Sequence, residues 1–325
     1  MMKKRLWSRW ILALAVVWPC MAAAHDRVRE KENFDFDWKF ILNADDRANA
    51  GMQVSEAGWQ DVQLPHDWSI SQNFDPKLSG SNGHLPGGIG WYRKTFRVDK
   101  KDKGRRIAVL FDGIYSRSDV YVNGQHLGFR PYGFCYQEHD LTPYLNYGAE
   151  NVLAVRVNNP LEHDSVARWY TGAGIYRHAW LVKTAEVHVA SYGTYVTTPV
   201  VTAERAEVRV RASVANEAKR TKTLSVRQQI TDGEGRTVVQ SGKQTLQVAA
   251  GQTADTEHTL EIPRPQLWDT EHPYLYTLHT AVYDGRKLVD TYETVFGVRT
   301  CEFTSDRGFL LNGKPLKLKG FCLHP

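Results

Sequence analysis

Histidine and aspartate stand side by side in Leu64-Pro-His-Asp-Trp68, a carboxylate next to an imidazole. Such groups are the commonest carriers of general acid–base chemistry. Adjacent residues rarely act together on one atom, however, so the segment reads as structural, with Trp68 as a core or loop anchor. Residues 71–90 hold Gly80, Gly83, Gly87, Gly88 and Gly90 with Pro76 and Pro86. That is a long loop, and compact domains keep such loops for function or motion. Its stretch 80–90 has no lysine and no helix pattern after it, which excludes a phosphate cradle. The cysteines are Cys20, Cys135, Cys301 and Cys322, widely spaced and without a CxxC or His/Cys cluster. They fit neither a disulfide framework nor a metal site, and the last three are expected to be mostly buried thiols.

The amino terminus reads as a secretory signal over residues 1–24. Lys3, Lys4, Arg5 and Arg9 are followed by an apolar run from Ile11 to Trp18 and by Ala22-Ala-Ala24. The apolar run is too short for a membrane span, which needs about 20 residues. Cleavage after Ala24 predicts a secreted or periplasmic chain with no membrane attachment. It also takes the formal charge from +5 to about +1, so the basic character belongs to the leader and gives no case for nucleic-acid binding.

The elements that must position any site are strands. Trp91-Tyr-Arg-Lys-Thr-Phe-Arg-Val98 alternates large apolar with basic residues, and residues 107–111, 151–157 and 178–183 are further short strands. Residues 118–127 read as strand, Asn123-Gly124 turn and strand. Residues 186–298 carry seven short strands at even spacing with turns at Asp232-Gly233 and Asp284-Gly285, the density of an immunoglobulin-like sandwich. Nothing long has a helical period, so the fold class is all-β. Near the end, Asn312-Gly313 predicts a type I′ hairpin. The alternation beyond it predicts a continuing strand, leaving Phe309, Leu310, Leu311, Leu316, Leu318 and Phe321 uncovered.

Several of these segments, in order, resemble family 2 glycoside hydrolases, the β-galactosidase, β-glucuronidase and β-mannosidase group. They are Gly90-Trp-Tyr-Arg-Lys94, Phe111-Asp-Gly113 with Asp119-Val-Tyr-Val-Asn-Gly124, and Asp140-Leu-Thr-Pro-Tyr-Leu145. Asn151-Val-Leu-Ala-Val-Arg-Val157, Trp169-Tyr-Thr-Gly-Ala-Gly-Ile-Tyr-Arg177, Pro265-Gln-Leu-Trp268 with Pro273-Tyr-Leu-Tyr276, and Phe296-Gly-Val-Arg299 complete the set. Each is weak alone, but the succession spans residues 34–325. The resemblance implies a jelly-roll, galactose-binding-like sandwich over 25–185 and an immunoglobulin-like sandwich over 186–298. Residues 299–325 are then a linker and the start of a truncated (β/α)8 catalytic barrel.

The same resemblance implies site residues. Arg168 aligns where the jelly roll reaches the bound sugar. Several β-galactosidases are acidic there, and a basic group would instead donate to hydroxyls or pair with a substrate carboxylate. Trp169 and Tyr170 would offer ring faces to the C–H surface of a sugar. His324 falls at the carboxyl end of the first barrel strand, the face where barrel function sits. The two catalytic glutamates of the retaining mechanism, which work at about 5–5.5 Å separation, belong to later barrel strands, and the Asp and Glu residues present are expected in sandwich turns or exposed strands, so no catalytic residue is carried over. The expected partner is a carbohydrate with a terminal β-galactoside or related glycoside, together with the missing barrel and self-association as a homo-oligomer. Neither a cofactor nor a metal is implied. The expected function is the non-catalytic front part of a secreted retaining glycosidase, inactive alone. The alternative is a lectin-like sandwich, which an exposed row of aromatic side chains would distinguish.

Overall fold

The computed structural model describes residues 28–42, 45–80, 83–159 and 169–321. Two antiparallel sheets form the first sandwich. One has the order Glu30–Asn33, Ala179–Thr184, Arg106–Phe111, Gln137–Asp140. The other has the order Gln60–Val62, Trp38–Leu42, Gly88–Arg97, Glu150–Asn159, Ser118–Val122, Gln125–Arg130. Trp38, Phe40, Trp68, Tyr92, Val109, Phe111, Leu153 and Val155 pack between them. Each such side chain taken from water contributes about 1.5–3 kcal/mol.

The larger sheet is covered on its second face as well. Trp91, Tyr121 and Ala154 pack there with Ala50 and Trp59. Arg93 is buried in that layer, donating to the carbonyls of Asn49 (2.5 Å) and Gly51 (2.7 Å) and to Glu56 (3.0 Å). Its charge survives burial because every donor direction used meets an oxygen.

The register fixes which loops share an end. Gly88 lies opposite Asn159, Ser118 opposite Val157, Ala179 opposite Phe111 and Phe111 opposite Gln137. The segment 112–117 carries the chain from one sheet to the other, and Tyr115 bridges to Gly174. The loop segments 63–80, 83–87, 112–117, 131–136 and 169–178 therefore gather at one end of the sandwich.

The second sandwich pairs Val187–Val201, Arg205–Asn216 and Gln252–Pro263 against a sheet built on Lys222–Thr231, Tyr276–Asp284 and Lys287–Phe296. Along Arg205–Asn216 every second residue, from Ala206 through Val214 to Asn216, is buried, the period a half-buried strand requires. The two sandwiches are clamped together by Arg29. Its guanidinium donates to both oxygens of Asp290 (3.0 and 2.8 Å) and to the Val189 carbonyl (2.5 Å). The Asp290 side chain is fully buried and also accepts the Val189 amide at 2.7 Å. Arg106, paired within the first sandwich to Glu138 (2.6 Å), also reaches Glu217 (2.8 Å) across the same junction.

Four expectations need correction. The predicted hairpin forms, with φ of 51° at Asn312 and 73° at Gly313, but its second strand is only Lys314–Pro315 and none continues over 316–321. Its partner on the other side is Cys301–Thr304, making three strands. Leu310 and Leu311 are buried rather than uncovered, because Asn312 ties the hairpin to the second sandwich. It accepts the Thr300 amide and donates to the Trp268 carbonyl. Leu318 and Phe321 are exposed, as expected. The thiols are less buried than predicted, with Cys135 half-buried and Cys301 exposed; Cys322 lies outside the described residues. Finally, carboxylates are not confined to turns and exposed strands. Asp35, Asp102, Asp119 and Asp290 are buried, each with basic or amide partners that sequence spacing did not reveal. No helix among the described residues is long and apolar enough to cross a membrane.

Candidate functional site

At the loop end of the first sandwich, residues 66–68 run beside 173–175, the chain turning at Trp68 into the short 3-10 helix Ser69–Ser71. The His66 amide donates to the Ile175 carbonyl (2.8 Å) and the Trp68 amide to that of Ala173 (3.1 Å). Alternation then sends neighbouring side chains opposite ways. Trp68 goes into the core and stacks on Phe40 with ring centroids 5.5 Å apart. His66 faces Tyr92, its Nδ1 sharing a 2.8 Å hydrogen bond with the buried phenol. Asp67 turns to the other side, toward the rim. The adjacent imidazole and carboxylate thus serve separate partners.

Asp67 is fully engaged. Its Oδ1 accepts the amides of Ser69 (2.9 Å) and Ala173 (3.0 Å), and its Oδ2 accepts the Tyr170 hydroxyl at 2.5 Å. Burial and the Asp67 charge push the Tyr170 phenol well above its ordinary range, so it remains a neutral donor. Burial likewise pushes His66 down, against the opposing pull of Asp67, and keeps the imidazole neutral at physiological pH. A methyl group added at Gly83 in the glycine-rich loop would come to 3.9 Å from the Tyr170 ring, so the two lie near each other.

Two glycines make this approach sterically feasible. At Gly172, φ is +69° and a Cβ would lie 2.6 Å from Asp67 Oδ2. At Gly174, φ is +126° and a Cβ would meet the Tyr92 hydroxyl at 2.3 Å. Only glycine adopts these angles at such separations without strain. Asn159 holds the Gly172 carbonyl (3.1 Å), and Ser69 Oγ holds the Pro86 carbonyl (2.8 Å), so three loops are tied into one rim.

Of the sequence-predicted site residues, Trp169 and Tyr170 are half-buried on this rim. Arg168 and His324 lie outside the described residues. Among the described residues no group of three or more His, Cys, Asp or Glu could hold a metal ion. Asp67, accepting from three donors, positions Tyr170 and the loop.

The same end carries aromatic side chains that sequence reading passed over. Tyr132 and Tyr136 are exposed, Phe134 is half-buried, and Phe134 contacts Tyr115 (5.0 Å), Tyr132 (5.8 Å) and Tyr176 (6.4 Å). Tyr192, from the second sandwich, lies 4.7 Å from Tyr136 and donates to Asp112 at 2.9 Å. The signal was present in the run Tyr132-Gly-Phe-Cys-Tyr136.

Residues 32–185 match the model of the glycosyl hydrolases family 2 sugar binding domain, and residues 187–299 match that of glycosyl hydrolases family 2. The chain belongs to glycosyl hydrolase family 2. It is similar to β-galactosidase BoGH2A of Bacteroides ovatus, with 41% identity over 94% of this chain and 36% of that protein. It is similar as well to a β-glucuronidase of Formosa agariphila, with 34% identity over 91% and 32%. A crystal structure of a family 2 member from Bacteroides cellulosilyticus superposes with a TM-score of 0.82 at 38% identity, covering 90% of this chain and 38% of that one. The structure of a family 2 β-glucuronidase gives 0.82 at 33% identity, covering 90% and 32%. The chain spans about a third of the length of the curated relatives it matches.

Proposed function

We propose that this chain is the sugar-binding and spacer portion of a secreted or periplasmic retaining β-glycosidase, acting on terminal β-galactosides and inactive without a catalytic barrel. The observation that carries the reading is the Asp67–Tyr170 rim, where a neutral phenol and half-buried rings meet at a loop end. The galactoside choice follows from the relative of 41% identity, which is named a β-galactosidase. Trp169 and Tyr170 supply the apolar faces, Arg168 donates to sugar hydroxyls, and His324 contacts the sugar from the barrel side. The leader over residues 1–24 directs export.

Two assays test this. The purified chain should release no nitrophenol from p-nitrophenyl β-galactoside; turnover above the buffer rate would contradict it. It should bind methyl β-galactoside weakly, with loss of binding in Tyr170→Ala.

The lectin-like reading has one observation in its favour, the exposed Tyr132, Tyr136 and Tyr192. Binding that survives Tyr170→Ala would favour it.

A further inference from the structure

Tyr192 is the least expected residue in the molecule. It sits at a register shift in the strand Val187–Val201, with φ of +54°, a left-handed conformation bulky residues avoid. Gly193 follows immediately, so a residue suited to that conformation was one position away. The ring is 55% exposed. Its hydroxyl is fixed on Asp112, and its amide accepts no freedom either, donating to the Tyr292 hydroxyl at 3.1 Å. Backbone strain held by surrounding contacts, with an exposed aromatic as its product, is a pattern of functional sites.

Tyr192 forms one wall of a groove between the two sandwiches, of about 340 Å3, within the range of small-ligand sites. The groove has Leu110 and Val182 as apolar lining, Tyr192 and Tyr292 as aromatic walls, and Lys31 and Glu293 as polar groups. Arg29 also lines it, but Asp290 neutralises that charge. Lys31 stands over the Trp180 ring at 4.0 Å, and Glu293 faces His279 Nδ1 at 3.3 Å. Opposite single charges on the walls leave no field for a phosphate or a nucleic acid. Tyrosine faces with flanking donors and acceptors suit a molecule whose surfaces alternate C–H and hydroxyl. Through Tyr136 and Asp112, Tyr192 also touches the loop end of the first sandwich.

We propose that this groove binds a segment of a β-linked oligosaccharide, with the Tyr192 ring as its main contact, separately from the terminal sugar at the Tyr170 rim. The choice of ligand rests on the reading of the chain as a glycosidase's sugar-binding portion. The groove would hold a substrate chain at a distance from its cleaved end.

The test is calorimetric titration of the full chain with β-1,4-linked galacto-, gluco- and xylo-tetraose. At least one should bind with a millimolar or tighter dissociation constant. Tyr192→Phe keeps the ring and should bind within about threefold of the parent; Tyr192→Asn removes it and should bind roughly tenfold or more weakly. Asparagine tolerates the left-handed backbone, so that variant should melt within a few degrees of the parent. Equal binding by Tyr192→Asn and the parent, or no binding of any tetraose at about 10 mM, overturns the proposal. Loss of binding in Tyr170→Ala but not in Tyr192→Asn places the sugar on the rim, which refutes the groove and leaves the proposed function standing.

Discussion

The Tyr170 hydroxyl donates to the Asp67 carboxylate at 2.5 Å across 103 residues of sequence. This one contact joins the segment after Pro65 to the Thr171-Gly-Ala-Gly174 turn and holds the tyrosine ring near Gly83. The account of the loop end stands on it, and its loss should be felt in both stability and sugar binding.

Tyr170→Phe deletes a hydrogen bond to a charged acceptor and should lower unfolding free energy by about 1–2 kcal/mol in urea titration. Asp67→Ala should cost more, because the Ser69 and Ala173 amides also lose their acceptor. The phenol's folded pKa is raised, so the contribution of this bond is whole below about pH 10 and declines above it, as the unfolded phenol ionises first. A urea midpoint for Tyr170→Phe equal to the parent's at neutral pH would show that the bond adds nothing.

Gly174→Ala places a methyl group where the Tyr92 hydroxyl and the His66 carbonyl already stand, at 2.3 and 2.5 Å. Backbone there must move, at a cost of about 3 kcal/mol or more. Soluble yield and melting temperature should both fall. Gly285→Ala, at a φ of 61° within the left-handed basin and with nothing within 4 Å, should be far milder.

Arg29→Ala leaves the buried Asp290 carboxylate without its cation, a change that costs about 3–5 kcal/mol. Because the pair spans the two sandwiches, calorimetry should show unfolding broader or more split in the variant than in the parent. Burial raises the Asp290 carboxyl, with Arg29 opposing, so the variant should lose less stability at acid pH than at neutral pH, where the orphaned group must be charged. A uniform loss across pH would contradict that origin.

Two histidines give the fold a predictable acid sensitivity. Burial, with Arg130 adding to it, brings His139 down to about 4. Burial, with Arg106 and Arg29, does the same for His188, whose Nδ1 faces the Ala185 carbonyl at 3.2 Å. The unfolded chain binds these protons first as pH falls. Stability should therefore be whole above about 6.5 and fall toward about 4, by on the order of 3 kcal/mol for each histidine. His188→Gln should flatten part of that slope between pH 6.5 and 4. An unchanged slope would assign the acid loss to other groups.

Much of the fold was legible because its code is local. The alternation over residues 206–214 and the Asn-Gly turns at 123–124 and 312–313 are properties of neighbouring residues, and each appears in the structure. The strand Glu150–Asn159 was legible as a strand but not as one buried on both faces. The cover on its outer side, residues 45–59, carries no periodic signal. Burial of Leu310 and Leu311 depends on Asn312 reaching Trp268, 44 residues away. Trp169 and Tyr170 were taken up through resemblance, whereas Asp67 was set aside because adjacent residues rarely act together on one atom; its partner Tyr170 lies 103 residues along the chain. Tyr192 escaped notice because a tyrosine in left-handed backbone mimics an ordinary strand residue in sequence.

The most direct test of the sugar-binding rim is a nuclear magnetic resonance titration of the isotope-labelled chain with methyl β-galactoside to about 100 mM, a range suited to a weak site. The account predicts amide shifts concentrated at Ser69, Gly83, Gly87 and residues 169–175, abolished in Tyr170→Ala. Shifts absent from these positions, or unchanged in that variant, would contradict it.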